Sequence, residues 1–173
     1  MRESEQREQL AKAYGFVLPE DFWRFCRFYQ KLESGPQRGL LGSALGISAV
    51  GPMDWVLGYL QRKSSGLPLF LHYRYFMDPP EFITILCGDN DGQHWGYWID
   101  APREPEVYVA SYHTRDAYEI TVCGKTLLEV VRLDLELQYA GRARGGRRGR
   151  RRKWIIPTKV GQAESASKSA DSL

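Results

Sequence analysis

Eight cationic side chains, Arg142, Arg144, Arg147, Arg148, Arg150, Arg151, Arg152 and Lys153, fall within twelve residues and are interleaved with glycine. Charge at this density attracts polyanions such as nucleic acid, or an acidic protein, and the affinity falls steeply as salt rises. The interleaved glycines keep the backbone adaptable, as in segments that bind single strands without sequence preference. The bland counterpart is a solvated basic tail that meets polyanions only incidentally.

A second candidate is Gly88-Asp89-Asn90-Asp91-Gly92, which sets two carboxylates and an amide in five residues. Such a group can accept a cationic partner or a hard metal. It lacks the alternating ligands and distal Glu of an EF-hand loop, and Asp, Asn and Gly are favoured in turns for backbone reasons alone. A structural turn is therefore the first reading. His94 follows closely, and Arg74 sits within the aromatic run FLHYRYF, where it could pair a phosphate. Arg74, Asp89, Asn90, Asp91 and His94 together form a candidate ligand or partner patch. Against it stands ordinary core packing with one exposed Arg.

Other chemistries are poorly served. His72, His94 and His113 lie in or beside different predicted strands and would have to converge to hold a metal. Cys26, Cys87 and Cys123 are odd in number, without CxxC spacing, which argues against a zinc site or a disulfide framework and for a reducing interior. No GxSxG elbow, GxxxxGK[ST] loop or strand-linked GxGxxG occurs, so neither a hydrolase triad nor a phosphate loop is indicated. Cys123-Gly124-Lys125-Thr126 has partial phosphate-loop lettering but reads as the cap of a final helix. No cofactor and no catalytic residue are expected.

These groups need a frame to hold them. With 43% apolar and 13% aromatic residues in 173, the chain can build one substantial core. Glu3 to Tyr14 suits a solvated helix anchored by Leu10 and ended by Gly15. Leu18-Pro19-Glu20-Asp21 opens a second helix, with acids facing the positive end of its dipole. In it Phe22, Phe25, Cys26 and Tyr29 recur at helical spacing, and Trp23, Phe28 and Leu32 widen the stripe. After Ser34-Gly35-Pro36, a glycine-punctuated segment from Leu40 to Val50 leads to a short helix over Met53 to Leu60.

From residue 69 the period changes. LFLHYRYF, EFITILCG, HWGYWID, EVYVASYH and AYEITV read as strands, and the short turns between them leave no room for crossover helices. A closing helix over Lys125 to Tyr139 places Leu127, Leu128, Val131 and Leu135 on one side. The expected fold is α+β: a largely antiparallel meander of about five strands, packed with amino-terminal helices and a closing carboxy-terminal helix. Residues 1–141 form this domain, and residues 142–173 are expected to be a disordered Gly/Arg-rich tail in which WIIPTKV is an apolar island.

The charge divides along the same boundary. Residues 1–141 carry 14 Lys/Arg against 19 Asp/Glu, and residues 142–173 carry 10 against 2. An acidic body therefore precedes a basic tail. The amino terminus lacks a signal-like apolar stretch and no apolar run approaches a bilayer span, so no membrane association is expected.

LPEDFWRFCRFYQKL, the VGPMD turn, SSGLPLFLHYRYF, DPPEF at 78–82, GDN at 88–90, GYW and VYV resemble, in that order, the amino-terminal half of the histone PARylation factor family. The segments span residues 16–135, with DPPEF and GDN the most specific. More distantly, the arrangement is similar to the SUKH superfamily of protein-binding domains. The resemblance implies a non-enzymatic accessory or reader in ADP-ribosylation, with an ADP-ribosyltransferase or histone as protein partner. It also implies an intracellular setting, the nucleus in a eukaryote and the cytoplasm in a bacterium. In that family a second, helical domain supplies the acidic residues that complete the polymerase site, and no position here corresponds to them. A SUKH-like module such as a toxin-immunity protein is the alternative, for which an acidic body suits a basic partner.

Overall fold

A computed structural model describes residues 1–59, 66–88, 92–100, 107–114 and 120–143, with side chains through Ala140. Helix α1 spans Glu3–Tyr14 and buries Leu10 alone, as its polar composition requires, and Gly15 closes it in the left-handed conformation. Helix α2 spans Glu20–Ser34 and buries Phe22, Trp23, Phe25, Cys26 and Tyr29. Burying one such aromatic stabilises the fold by roughly 2–3 kcal/mol. Phe28, expected in the same stripe, is 37% exposed, with its ring tilted against Phe25.

Helix α3 (Leu40–Leu45) precedes strand β1 (Ser48–Ala49), and α4 spans Pro52–Val56. Between β1 and α4, Gly51 adopts a φ of 62°, and a side chain there would strike the Thr84 carbonyl. This accounts for glycine in the VGPMD turn. Strands β2 (Phe82–Cys87), β3 (Gln93–Trp98), β4 (Tyr108–His113) and β5 (Thr121–Gly124) complete a five-stranded sheet of order β1-β2-β3-β4-β5, antiparallel throughout. Helix α5 spans Leu127–Ala143.

The meander and its strand count agree with expectation, but one strand is exchanged. LFLHYRYF forms a 3-10 turn at Leu69–Leu71 and then a chain of turns in which Tyr73 and Met77 have positive φ. Its alternation of Leu71, Tyr73 and Tyr75 with His72 and Arg74 suits a strand, but Pro68 and Pro79-Pro80 bracket it, and the positive φ at Tyr73 and Met77 with the local bonds of Arg74 and Asp78 fold it into turns instead. The edge position goes instead to β1, which pairs Ser48 with Cys87 and Ala49 with Leu86.

One sheet face, bearing Ile83, Trp95, Tyr97 and Val109, packs against the helices in the main core. The opposite face bears Phe82, His94, Ala110 and Tyr112, and the 67–80 segment covers part of it through Tyr75, which stacks on His94 with ring centroids 4.3 Å apart. The sheet is thus a middle layer, and most of β2 and β3 is buried on both sides.

Helix α5 differs from expectation in reach and in facing. It continues through Ala143, so Arg142 belongs to the helix backbone rather than to the tail. Leu127, Val130 and Val131 are buried, whereas Leu128 and Leu135 are exposed together with Leu133, Leu137 and Tyr139. Only the first turns reach the core, and the remainder extends past the helices and sheet it would pack on. Thr126 Oγ1 accepts the Glu129 N–H, which makes the 123–126 turn the cap of this helix.

Candidate functional site

The residues proposed from sequence as a patch divide between the interior and the surface. His94 is fully buried on β3. Its Nδ1 donates to the Gly92 carbonyl across 2.7 Å, since a carbonyl can only accept. Its Nε2 lies 2.9 Å from Asp78 Oδ1, and a proton bridges the two. The ring is stacked on Tyr75 and met edge-on by Phe82 and Tyr112. His94 thus spends both nitrogens and both faces inside the protein.

Asp78 is the residue that gathers this cluster, and sequence reasoning did not single it out. Its side chain is fully buried; Oδ2 accepts the Tyr75 N–H at 3.0 Å and the Thr84 hydroxyl at 3.2 Å while Oδ1 meets His94. One carboxylate therefore joins the 67–80 segment to β2 and β3. Arg74, read as a phosphate partner, is half-buried and donates to the carbonyl oxygens of Asp78 at 3.0 Å and Pro79 at 2.7 Å. Those bonds close the turn that presents Asp78. Burial, with Cys87 beside it, pushes the Tyr75 hydroxyl well above its ordinary value, so it remains a neutral phenol.

Asp89, Asn90 and Asp91 lie outside the described residues, as do Arg144, Arg147, Arg148, Arg150, Arg151, Arg152 and Lys153; of Arg142 the backbone alone is described. His72 follows the 3-10 turn and His113 ends β4. Among the described residues no three His, Cys, Asp or Glu side chains converge as a metal site, and no helix is long and apolar enough to cross a membrane. The described cysteines are free thiols, and burial pushes Cys26 up to about 12. A thiol so held is a poor nucleophile.

The anchored segment itself carries the feature most like a working surface. Outward from the Asp78–His94 clamp stand Leu67, Phe70, Leu71, Tyr73, Phe76 and Met77, all exposed, Phe76 to 74% and Met77 to 59%. Six large apolar side chains in eleven residues, with backbone held by Arg74, Asp78, Tyr14 and Tyr112, form an exposed apolar surface on a fixed base. Apolar exposure concentrated in one anchored segment points to an interaction site, and aromatic and Met side chains are enriched in such sites. The signal available in sequence was the density of large apolar residues in a short segment punctuated by Pro68 and Pro79-Pro80.

Comparison with known proteins gives a consistent picture. The family model described as Histone PARylation factor 1 matches residues 5–152. The chain is 36% identical over 135 residues to histone PARylation factor 1 of Mus musculus, covering 76% of this chain and 39% of that protein. The Danio rerio protein is 38% identical over 133 residues, covering 76% and 38% respectively. A Homo sapiens protein named putative histone PARylation factor 1-like is 34% identical over 135 residues, covering 76% and 39%. The chain therefore spans about two fifths of the length of the curated relatives it matches.

Proposed function

We infer the function from one premise: the chain belongs to the histone PARylation factor family. On that premise it acts in ADP-ribosylation, in the nucleus, as an accessory protein that binds rather than as the catalyst. The 67–77 surface docks a folded protein partner, an ADP-ribosyltransferase in preference to a histone, because an apolar face seeks an apolar counterpart and histones offer mainly charge. The arginines from 142 to 152 hold a polyanion, poly(ADP-ribose) in preference to nucleic acid, as an adjunct to that docking.

The observation that carries this reading is the row of exposed aromatic and aliphatic side chains mounted on the buried Asp78–His94 clamp. A surface built this way binds without reorganising, so little of its interaction energy is lost to ordering. The test is a calorimetric titration of the 173-residue chain with a purified poly(ADP-ribose) polymerase. Saturable binding is expected, weakened about tenfold or more when Phe76 and Met77 are both replaced by Ser. Affinity unchanged in that variant, or binding to core histones alone, removes the reading.

A further inference from the structure

Helix α5 leaves more apolar surface uncovered than any other described helix: Leu128, Leu133, Leu135, Leu137 and Tyr139 are all exposed, Tyr139 to 65%. Single exposed apolar side chains are ordinary, but such a concentration on one helix calls for a cover. At helical spacing Leu128, Leu135 and Tyr139 align in one stripe beside the buried Val131. Arg132 and Glu136, paired at 2.9 Å, run along the outer border of that stripe. Leu133 and Leu137 form a shorter row beside the buried Val130.

The chain continues past this helix with a segment suited to the stripe. After Ala143 come the ten residues 144–153, seven of them Arg or Lys, and then Trp154-Ile155-Ile156, the one cluster of large apolar residues in 144–173. All of these lie outside the described residues. At a rise of 1.5 Å per residue, Ala143 stands about 12 Å along the helix from Leu135. Ten residues can span up to about 35 Å, so the cluster reaches the stripe with length to spare for the reversal. A tether this short gives the cluster an effective concentration in the millimolar range at α5, so a contact with an intrinsic Kd of about 1 mM is already populated half the time. The charges agree. Residues 127–140 carry the acids Glu129, Asp134 and Glu136 against the single base Arg132, and the seven cations of the tether would return along them.

We propose that Trp154-Ile155-Ile156 folds back on α5 and covers the stripe of Leu128, Leu135 and Tyr139, closing the Arg-rich run into a loop along an acidic helix. Pro157 biases Ile156 toward extended backbone. In an extended segment Trp154 and Ile156 face one side about 7 Å apart. Leu135 and Tyr139 repeat at about 6 Å on the helix, so the two spacings match. While the segment is docked, the stripe is closed to other partners. The contact is independent of the 67–77 surface.

The experiment compares amide hydrogen exchange along α5 in the 173-residue chain and in a Trp154→Ser, Ile155→Ser, Ile156→Ser variant, with no partner present. These substitutions lie beyond the folded body, and unchanged exchange in β2 and β3 verifies that the body is intact. Amides from 132 to 143 are expected to exchange about threefold faster in the variant. Leu135→Ala with Tyr139→Ala keeps helix propensity while removing the stripe. In that background the three serine substitutions are expected to have no further effect, as a shared contact requires. Equal exchange in the wild type and the serine variant overturns the proposal, as do additive effects in the combined variant. Protection that fades on dilution also overturns it, because the stripe would then belong to a second copy of the chain.

Discussion

The Tyr97 hydroxyl on β3 donates to Asp21 Oδ2 on α2 across 2.7 Å, and the same oxygen accepts the Leu127 N–H at the start of α5 across 2.9 Å. One carboxylate thus fastens a strand and two helices, and it serves α5 as an N-terminal acceptor supplied from another helix. Burial, then the neighbouring Asp21, drives the Tyr97 hydroxyl far above its ordinary value. Asp21→Ala leaves two buried donors without an acceptor and is expected to cost about 3 kcal/mol. Tyr97→Phe removes one donor together with its need and is expected to cost about 1 kcal/mol. Urea unfolding of the two variants measures both; equal losses would contradict the shared-acceptor account.

Gly96 tests the sheet. It faces Thr84 across β2 and β3, next to the irregularity between Thr84 and Leu86, and an added methyl would collide with the Ile83 carbonyl. The obstacle is backbone, so it cannot swing aside. Gly96→Ala is expected to destabilise by about 3 kcal/mol, read as a lowered thermal midpoint. A change within error would mean that β2 and β3 stand farther apart than described.

Arg7 and Arg27 each pair with both Glu3 and Glu20, a ring of alternating charge between α1 and α2, and that ring predicts a dependence on acid. Arg7 first holds Glu3 below the ordinary carboxylate value of 4.5, with Arg27 next, and Arg27 then Arg7 do the same for Glu20. A carboxylate depressed in the folded state contributes stability above its unfolded value and loses it as pH falls through the folded one. The ring is partly solvated, so its contribution is modest and is screened by salt. Between roughly pH 5 and pH 3, the melting temperature of the wild type should fall more steeply than that of a Glu3→Gln, Glu20→Gln variant. Added salt should narrow the difference. Parallel curves would remove the ring from the account of stability.

The basic run makes a prediction of its own. Binding of poly(ADP-ribose) by the 173-residue chain should weaken with salt, with a logarithmic slope of about −5 if most of the eight cations take part. Replacing Arg144, Arg147, Arg148, Arg150, Arg151 and Arg152 by Gln should bring that slope close to zero in an anisotropy titration. An unchanged slope would assign polyanion binding to the body instead.

What the sequence made legible was local or periodic. The bounds of α1, the apolar stripe of α2 and the antiparallel order of the meander follow from composition, spacing and turn length. What it concealed depends on contacts between distant residues. Asp21 meets partners 76 and 106 positions away, and a DPPEF motif gives no sign that its Asp78 will close on a histidine 16 residues later. The 69–76 run reads as a strand because its aromatic residues and alternation reward that state locally, whereas a strand also needs a partner edge, and the edge of β2 is taken by Ser48–Ala49. Leu128 and Leu135 were assigned to the core on helical spacing, but α5 outruns the body that would cover them.

Hydrogen exchange along the chain, with and without a purified poly(ADP-ribose) polymerase, tests the central claim most directly. The account predicts slower exchange over residues 67–77 on addition of the polymerase, with the buried strands β2 and β3 unchanged. Protection confined to α5 or to α1 and α2, with residues 67–77 exchanging as in the free chain, would contradict it.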